Sequence, residues 1–170
     1  MKLWKITLTA LIAVTMLVTL SQSSSADGDH AHGHSKLTKR DQLRVAAQKI
    51  CPVSGQKLGS MGTPLKIKIG PEELFLCCKG CTTGQVNAKH WGTIHANFAA
   101  AQGQCPVMEK PLPKSPKWTI VNGQIVYICC PPCSKKIQAD PKTYLTKLDA
   151  LYAKSQAKNK AATRGLVPRR

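Results

Sequence analysis

The chain has 170 residues, with 25 Lys and Arg against 8 Asp and Glu and a formal net charge of +17 at pH 7. So few acids leave little for carboxylate acid–base chemistry, and no Ser/His/Asp set or phosphate-cradling glycine loop replaces them, so a non-enzymatic protein is expected. The basic excess suits anionic surfaces, but no aromatic or glycine pattern interleaves the charges, so nucleic acid is not an expected partner.

Lys2 and Lys5 precede an uncharged apolar run over residues 6–20, and Ser24, Ser25 and Ala26 supply small residues for cleavage. That is the build of a secretory signal peptide over residues 1–26, and the run is short for a membrane span. A periplasmic or secreted location is therefore expected. Residues 27–36 read as a His-rich flexible tail, because no apolar residue is present to fold them. His30, His32 and His34 alternate there with small residues beside Asp27 and Asp29, a pattern able to close round copper, nickel or zinc.

Over residues 37–50, Leu43, Ala46, Ala47 and Ile50 fall at i, i+3, i+4 and i+7, which predicts a bracing helix leading into Cys51. Residues 51–104 form a first cysteine-rich module with a linker helix. In it, residues 65–69 alternate as a half-buried strand, Gly70 and Pro71 turn the chain, and a second strand ends at Cys77. His90 and His95, five apart, read as surface or linker positions. Residues 105–153 form a second module, with a hairpin turning at Asn122-Gly123. Beyond Cys133, Asp140-Pro141 reads as an N-cap and first helical residue, followed by an apolar stripe of Tyr144, Leu145, Leu148, Leu151 and Tyr152. Residues 154–170 read as a basic disordered tail, able to contact anionic surfaces. The fold class expected is α+β: two small cysteine-rich modules, each a β-hairpin plus a short helix, with flanking helices.

All eight cysteines belong to a repeat. Cys51-Pro52-Val53 precedes Cys77, Cys78 and Cys81; Cys105-Pro106-Val107 precedes Cys129, Cys130 and Cys133. The lone cysteines stand 54 apart (105 − 51) and the clustered ones 52 apart (129 − 77). One thiol from a loop and three within five residues can put several sulfurs on one ion, at about 2.3 Å for zinc. Such sets suit Zn(II), Cu(I) and other soft heavy-metal ions. Adjacent cysteines point in different directions, so either of Cys77 and Cys78 can lie outside the set. A module of this size lacks the core to fold unaided, so a staple is expected. The rival is a disulfide framework, since exported thiols oxidise. Met61 and Met108, near the lone cysteines, read as packing residues.

Each module resembles the YHS/TRASH-like heavy-metal-binding domains found beside bacterial metal-export proteins. The resemblance rests on a Pro-Val near the first ligand, a hairpin with a glycine turn, and a strand ending in Cys-x-x-x-Cys. Asp140-Pro141-Lys142-Thr143-Tyr144 matches the family's closing motif in the second copy. It implies Cys51, Cys77 and Cys81 in one site and Cys105, Cys129 and Cys133 in the other, with Cys78 and Cys130 as additional thiols. The function expected is an exported buffer or carrier of copper or zinc, working with a metal-efflux membrane component. The competing expectation is a structural adaptor whose modules are stapled by zinc or disulfides.

Overall fold

The computed structural model describes residues 37–165. The signal-peptide reading, His30, His32 and His34, and residues 166–170 lie outside the described residues. Among the described residues no helix is long and apolar enough to cross a membrane.

The architecture is α+β, in the order α1 (Lys39–Gln48), β1 (Leu65–Ile69), β2 (Glu72–Leu76), α2 (Ala88–Gln102), β3 (Lys117–Val121), β4 (Gln124–Ile128), α3 (Pro132–Ala139) and α4 (Pro141–Gly165). A short 3-10 helix, Lys79–Thr83, follows β2. The strands make two separate antiparallel hairpins, Leu65 opposite Leu76 and Lys117 opposite Ile128. At the second turn Asn122 (φ 49°) and Gly123 (φ 74°) are both left-handed, the geometry that matches strand twist in a two-residue hairpin.

Helix α1 starts at Thr38, whose hydroxyl accepts from the Asp41 amide at 3.1 Å. Its buried face differs from the expected one. Asp41, Arg44, Ala47 and Gln48 are inside, Leu43 is half-buried and Ala46 is exposed. The charged residues are drawn in by partners on the first hairpin. The Arg44 guanidinium donates to the Glu73 carboxylate at 3.1 Å and to the Glu73 carbonyl, and it sits 5.4 Å above the Phe75 ring. Lys66 pairs with both Asp41 (3.2 Å) and Glu73 (3.1 Å). Burial works against ionising Asp41 and Glu73, yet Thr38 and Lys66 at the first, and Lys66 and Arg44 at the second, hold both carboxyls below their usual range. A carboxyl whose folded pKa lies below its unfolded one stabilises fully above the unfolded value, and that stability is lost as pH falls toward the folded value. Urea midpoints should therefore drop as pH falls below about 4. Glu73→Gln should flatten that slope; an unchanged profile would remove this network from the account of acid stability.

The hairpins are joined by backbone. The Glu73 amide donates to the Gly123 carbonyl at 2.7 Å, across the turn of the second hairpin. A Cβ at Gly123 would run into the Glu73 side chain, on a left-handed residue that strains any L side chain. Gly123→Ala should cost about 2 kcal/mol, read as a lowered urea midpoint.

The two modules share one core. Leu74 of the first hairpin and Ala47 of α1 pack in one cluster with Ile94 and Phe98 of α2, Val126 and Ile128 of β4, Ile137 of α3, and Leu148 and Tyr152 of α4. A smaller cluster, Leu58, Phe75 and Leu76 with Cys51, Cys77 and Cys81, surrounds the first cysteine site.

Helix α4 begins as expected, with the Asp140 carboxylate accepting from the Thr143 amide at 3.2 Å. It does not end at residue 153. The helix continues to Gly165, so residues 154–165 are helical rather than a disordered tail. Ala, Lys and Gln are good helix formers, and no proline interrupts until Pro168. Gln156 also donates to the Leu43 carbonyl on α1 at 3.3 Å.

Candidate metal centre

Each lone cysteine is delivered by the end of a helix. Gln48 is the last residue of α1 and Gln102 the last of α2, each three residues before its Cys-Pro-Val. The Gln48 side chain accepts from the Phe75 amide at 2.9 Å and donates to the Phe75 carbonyl at 2.7 Å. Gln102 does the same to Tyr127, at 2.9 and 2.7 Å. Phe75 and Tyr127 each lie two residues before the cysteine cluster, so one buried amide ties the two halves of a site together. The chain after each helix turns through a left-handed residue, Lys49 (φ 67°) or Gly103 (φ 67°). It then closes with the Cys51 amide on Gln56 O (2.8 Å) or the Cys105 amide on Lys110 O (2.9 Å).

This correspondence revises the role expected of α2. It holds the position in the second repeat that α1 holds in the first, while its N-terminal end still touches the first module, the Asn87 amide donating to Pro52 O at 3.0 Å. Sequence reasoning missed the two glutamines, although Gln-x-x-Cys-Pro-Val stands in both copies at 48–53 and 102–107.

The sulfurs of Cys51, Cys77 and Cys81 all lie within 4.8 Å of one another, as do those of Cys105, Cys129 and Cys133, and each trio can hold a metal ion. All six cysteines are buried except Cys129, which is half-buried. Four sulfurs set tetrahedrally at 2.3 Å from an ion would be about 3.8 Å apart. Cys77 and Cys81 are 3.6 Å apart, and Cys129 and Cys133 are 3.9 Å apart, both near that edge. Cys78 and Cys130 are half-buried and stand outside the trios, each beside the two clustered members of its own. Cys78 is 3.9 Å from Cys77 and 3.8 Å from Cys81; Cys130 is 3.8 Å from Cys129 and 3.0 Å from Cys133.

The thiols of a trio are not equivalent. Burial resists ionising Cys51, but the amide and hydroxyl of Ser54 and the amides of Cys77 and Val53 bring it down to about 7. Burial, reinforced by the neighbouring thiols, pushes Cys81 up to about 12. The second trio repeats the pattern, Cys105 lowered by surrounding amides and Cys133 raised by burial and its neighbours. An ion taking all three sulfurs of a trio displaces the protons they carry. The sites also differ beside the trio: Ser54 Oγ lies 3.3 Å from Cys77 Sγ, whereas an exposed Met108 holds the corresponding sequence position in the second copy.

The histidines and methionines fall elsewhere. His90 packs its ring under Gly55, with Nδ1 3.2 Å from Val53 O, and so backs the first cysteine loop. His95 is not a surface residue. Its Nδ1 lies 2.8 Å from the Tyr127 hydroxyl, its ring meets Trp118 edge-on, and burial lowers its pKa. Met61 and Met108 are exposed and do not pack in the core as expected. No family model, curated protein or solved structure matches the chain.

Proposed function

We propose that this chain is an exported carrier of a soft metal ion, Cu(I) or Zn(II), holding one ion in each cysteine trio. The observation that carries this reading is the repetition of one frame. Two helix-end glutamines and two hairpins, differing in most of their sequence, each gather the same three sulfurs to within 4.8 Å. A disulfide framework sets sulfurs two by two, whereas each trio brings three sulfurs round one point. Three thiolates suit three-coordinate Cu(I), or Zn(II) with a fourth position left for exchange.

The resemblance to YHS/TRASH-like domains supports the same class of ion, and the build of residues 1–26 supports export. His30, His32 and His34 would serve as a low-affinity collector upstream of the trios, and the partner would be a metal-efflux membrane component. The shared apolar core favours a carrier over a purely structural staple, because most of the buried side chains do not depend on the ions. The two readings separate on exchange. A carrier surrenders its ions to a competing Cu(I) or Zn(II) chelator while its circular dichroism stays folded, whereas a structural site unfolds as metal leaves.

A further inference from the structure

Each cysteine cluster contains a second three-sulfur face that the buried trio does not use. In the first module Cys77, Cys78 and Cys81 form a triangle with edges of 3.9, 3.6 and 3.8 Å. All three edges fit sulfurs sharing one soft ion, for which the tetrahedral edge is about 3.8 Å. This face shares the Cys77–Cys81 edge with the buried trio and differs from it by one residue, Cys78 in place of Cys51. Cys78 is half-buried and Cys51 is fully enclosed at 0% exposure. The second module places half-buried Cys130 where fully enclosed Cys105 stands in the buried trio; two edges, 3.8 and 3.9 Å, match that length, and the third, Cys130 to Cys133, is shorter at 3.0 Å. The same turn presents both extra thiols, the amide of Cys81 bonding Cys78 O at 3.2 Å and that of Cys133 bonding Cys130 O at 3.1 Å.

We propose that Cys78 and Cys130 are entry ligands, each forming an outer three-thiolate site through which the ion passes into the buried trio. This rests on the metal-carrier reading above. The ion first binds the outer face, through Cys78, Cys77 and Cys81. It then moves inward by one ligand exchange: a bond to Cys51 sulfur forms as the bond to Cys78 sulfur breaks. Cys51 gives up its proton if it still carries one, and the released Cys78 thiolate can take one from water. The ion keeps two thiolates throughout, so it is never released to solvent, and the oxidation state of metal and sulfur is unchanged. Release to an acceptor is the same path reversed, with the accessible thiol leading.

The test uses the full chain under anaerobic conditions and Cu(I) presented as a complex with a coloured chelator, with transfer followed by stopped flow. The double variant Cys78→Ser, Cys130→Ser should load at least about tenfold more slowly than wild type, while still retaining two Cu(I) per chain at equilibrium with affinity within about threefold. Cys51→Ser, which keeps the outer face of the first module, should still accept an ion there at the wild-type rate but lose it faster. Equal loading rates for the double variant and wild type would overturn the proposal, leaving the extra thiols as bystanders. A loss of equilibrium affinity that accounts for the whole rate change would overturn it as well, making them permanent fourth ligands. Failure of the wild-type chain to take Cu(I) or Zn(II) at all would instead remove the carrier reading beneath it.

Discussion

Cys51→Ser is expected to lower the tightly held soft-metal content from two ions per chain to one, with at least about a 100-fold loss of affinity confined to the first module. The Cys51 thiol is brought to about 7, against the effect of burial, by Ser54, Cys77 and Val53. It is also fully enclosed, so no water molecule can take its place at the ion without opening the loop. The substitution should not unfold the chain. A serine hydroxyl can accept from the same amides, and the larger core lies in a separate cluster from Cys51. An unfolding midpoint within about 1 kcal/mol of wild type for the metal-free protein would mark the effect as ligand loss rather than collapse. Metal titration followed by chelator competition checks both parts. Two full-affinity ions in the variant would sink the assignment of Cys51.

The second large effect lies outside the thiols. Gln48→Leu should destabilise the chain by about 3 kcal/mol, because one fully buried amide satisfies three backbone groups. Those groups are the Phe75 amide and carbonyl and the Ile50 carbonyl, at 2.9, 2.7 and 2.9 Å. A leucine of similar volume takes this partner from all three, and leaves the two groups on Phe75 out of reach of water, since Phe75 is 0% exposed. It also uncouples the lone cysteine from β2, so affinity at the first trio should fall with stability while the second trio is spared. Gln102→Leu should show the mirror result, through Tyr127 and Gln104. Urea unfolding together with metal stoichiometry separates these outcomes, and a Gln48→Leu protein of wild-type stability would refute the bridging role.

The cysteine repeat made much of this arrangement legible before any coordinates. Cysteines at offsets of 54 and 52 demand that loop and cluster meet twice, and alternation at Leu65, Ile67 and Ile69 with Asn122-Gly123 located the hairpins that bring them together. The choice within each cluster is not legible from spacing, because all three of its sulfurs lie within 3.9 Å of one another and only packing decides which two meet the lone cysteine. The buried face of α1 was hidden for another reason. Arg44 and Gln48 look like surface residues until their partners on β2 and at Gly123 are in place. The equivalence of α2 to α1 was obscured because α2 is longer, 15 residues against 10, and its apolar residues are placed differently. The end of α4 is hidden by its basic composition, which suggests disorder, although Ala, Lys and Gln favour a helix and Gln156 finds a partner on α1.

Native mass spectrometry of the full chain, purified without oxygen and without added metal or chelator, bears most directly on the central claim. The expected result is a chain carrying two soft metal ions, copper or zinc, with every cysteine reduced once the ions are stripped. A metal-free chain with its eight cysteines joined in four disulfides would contradict it.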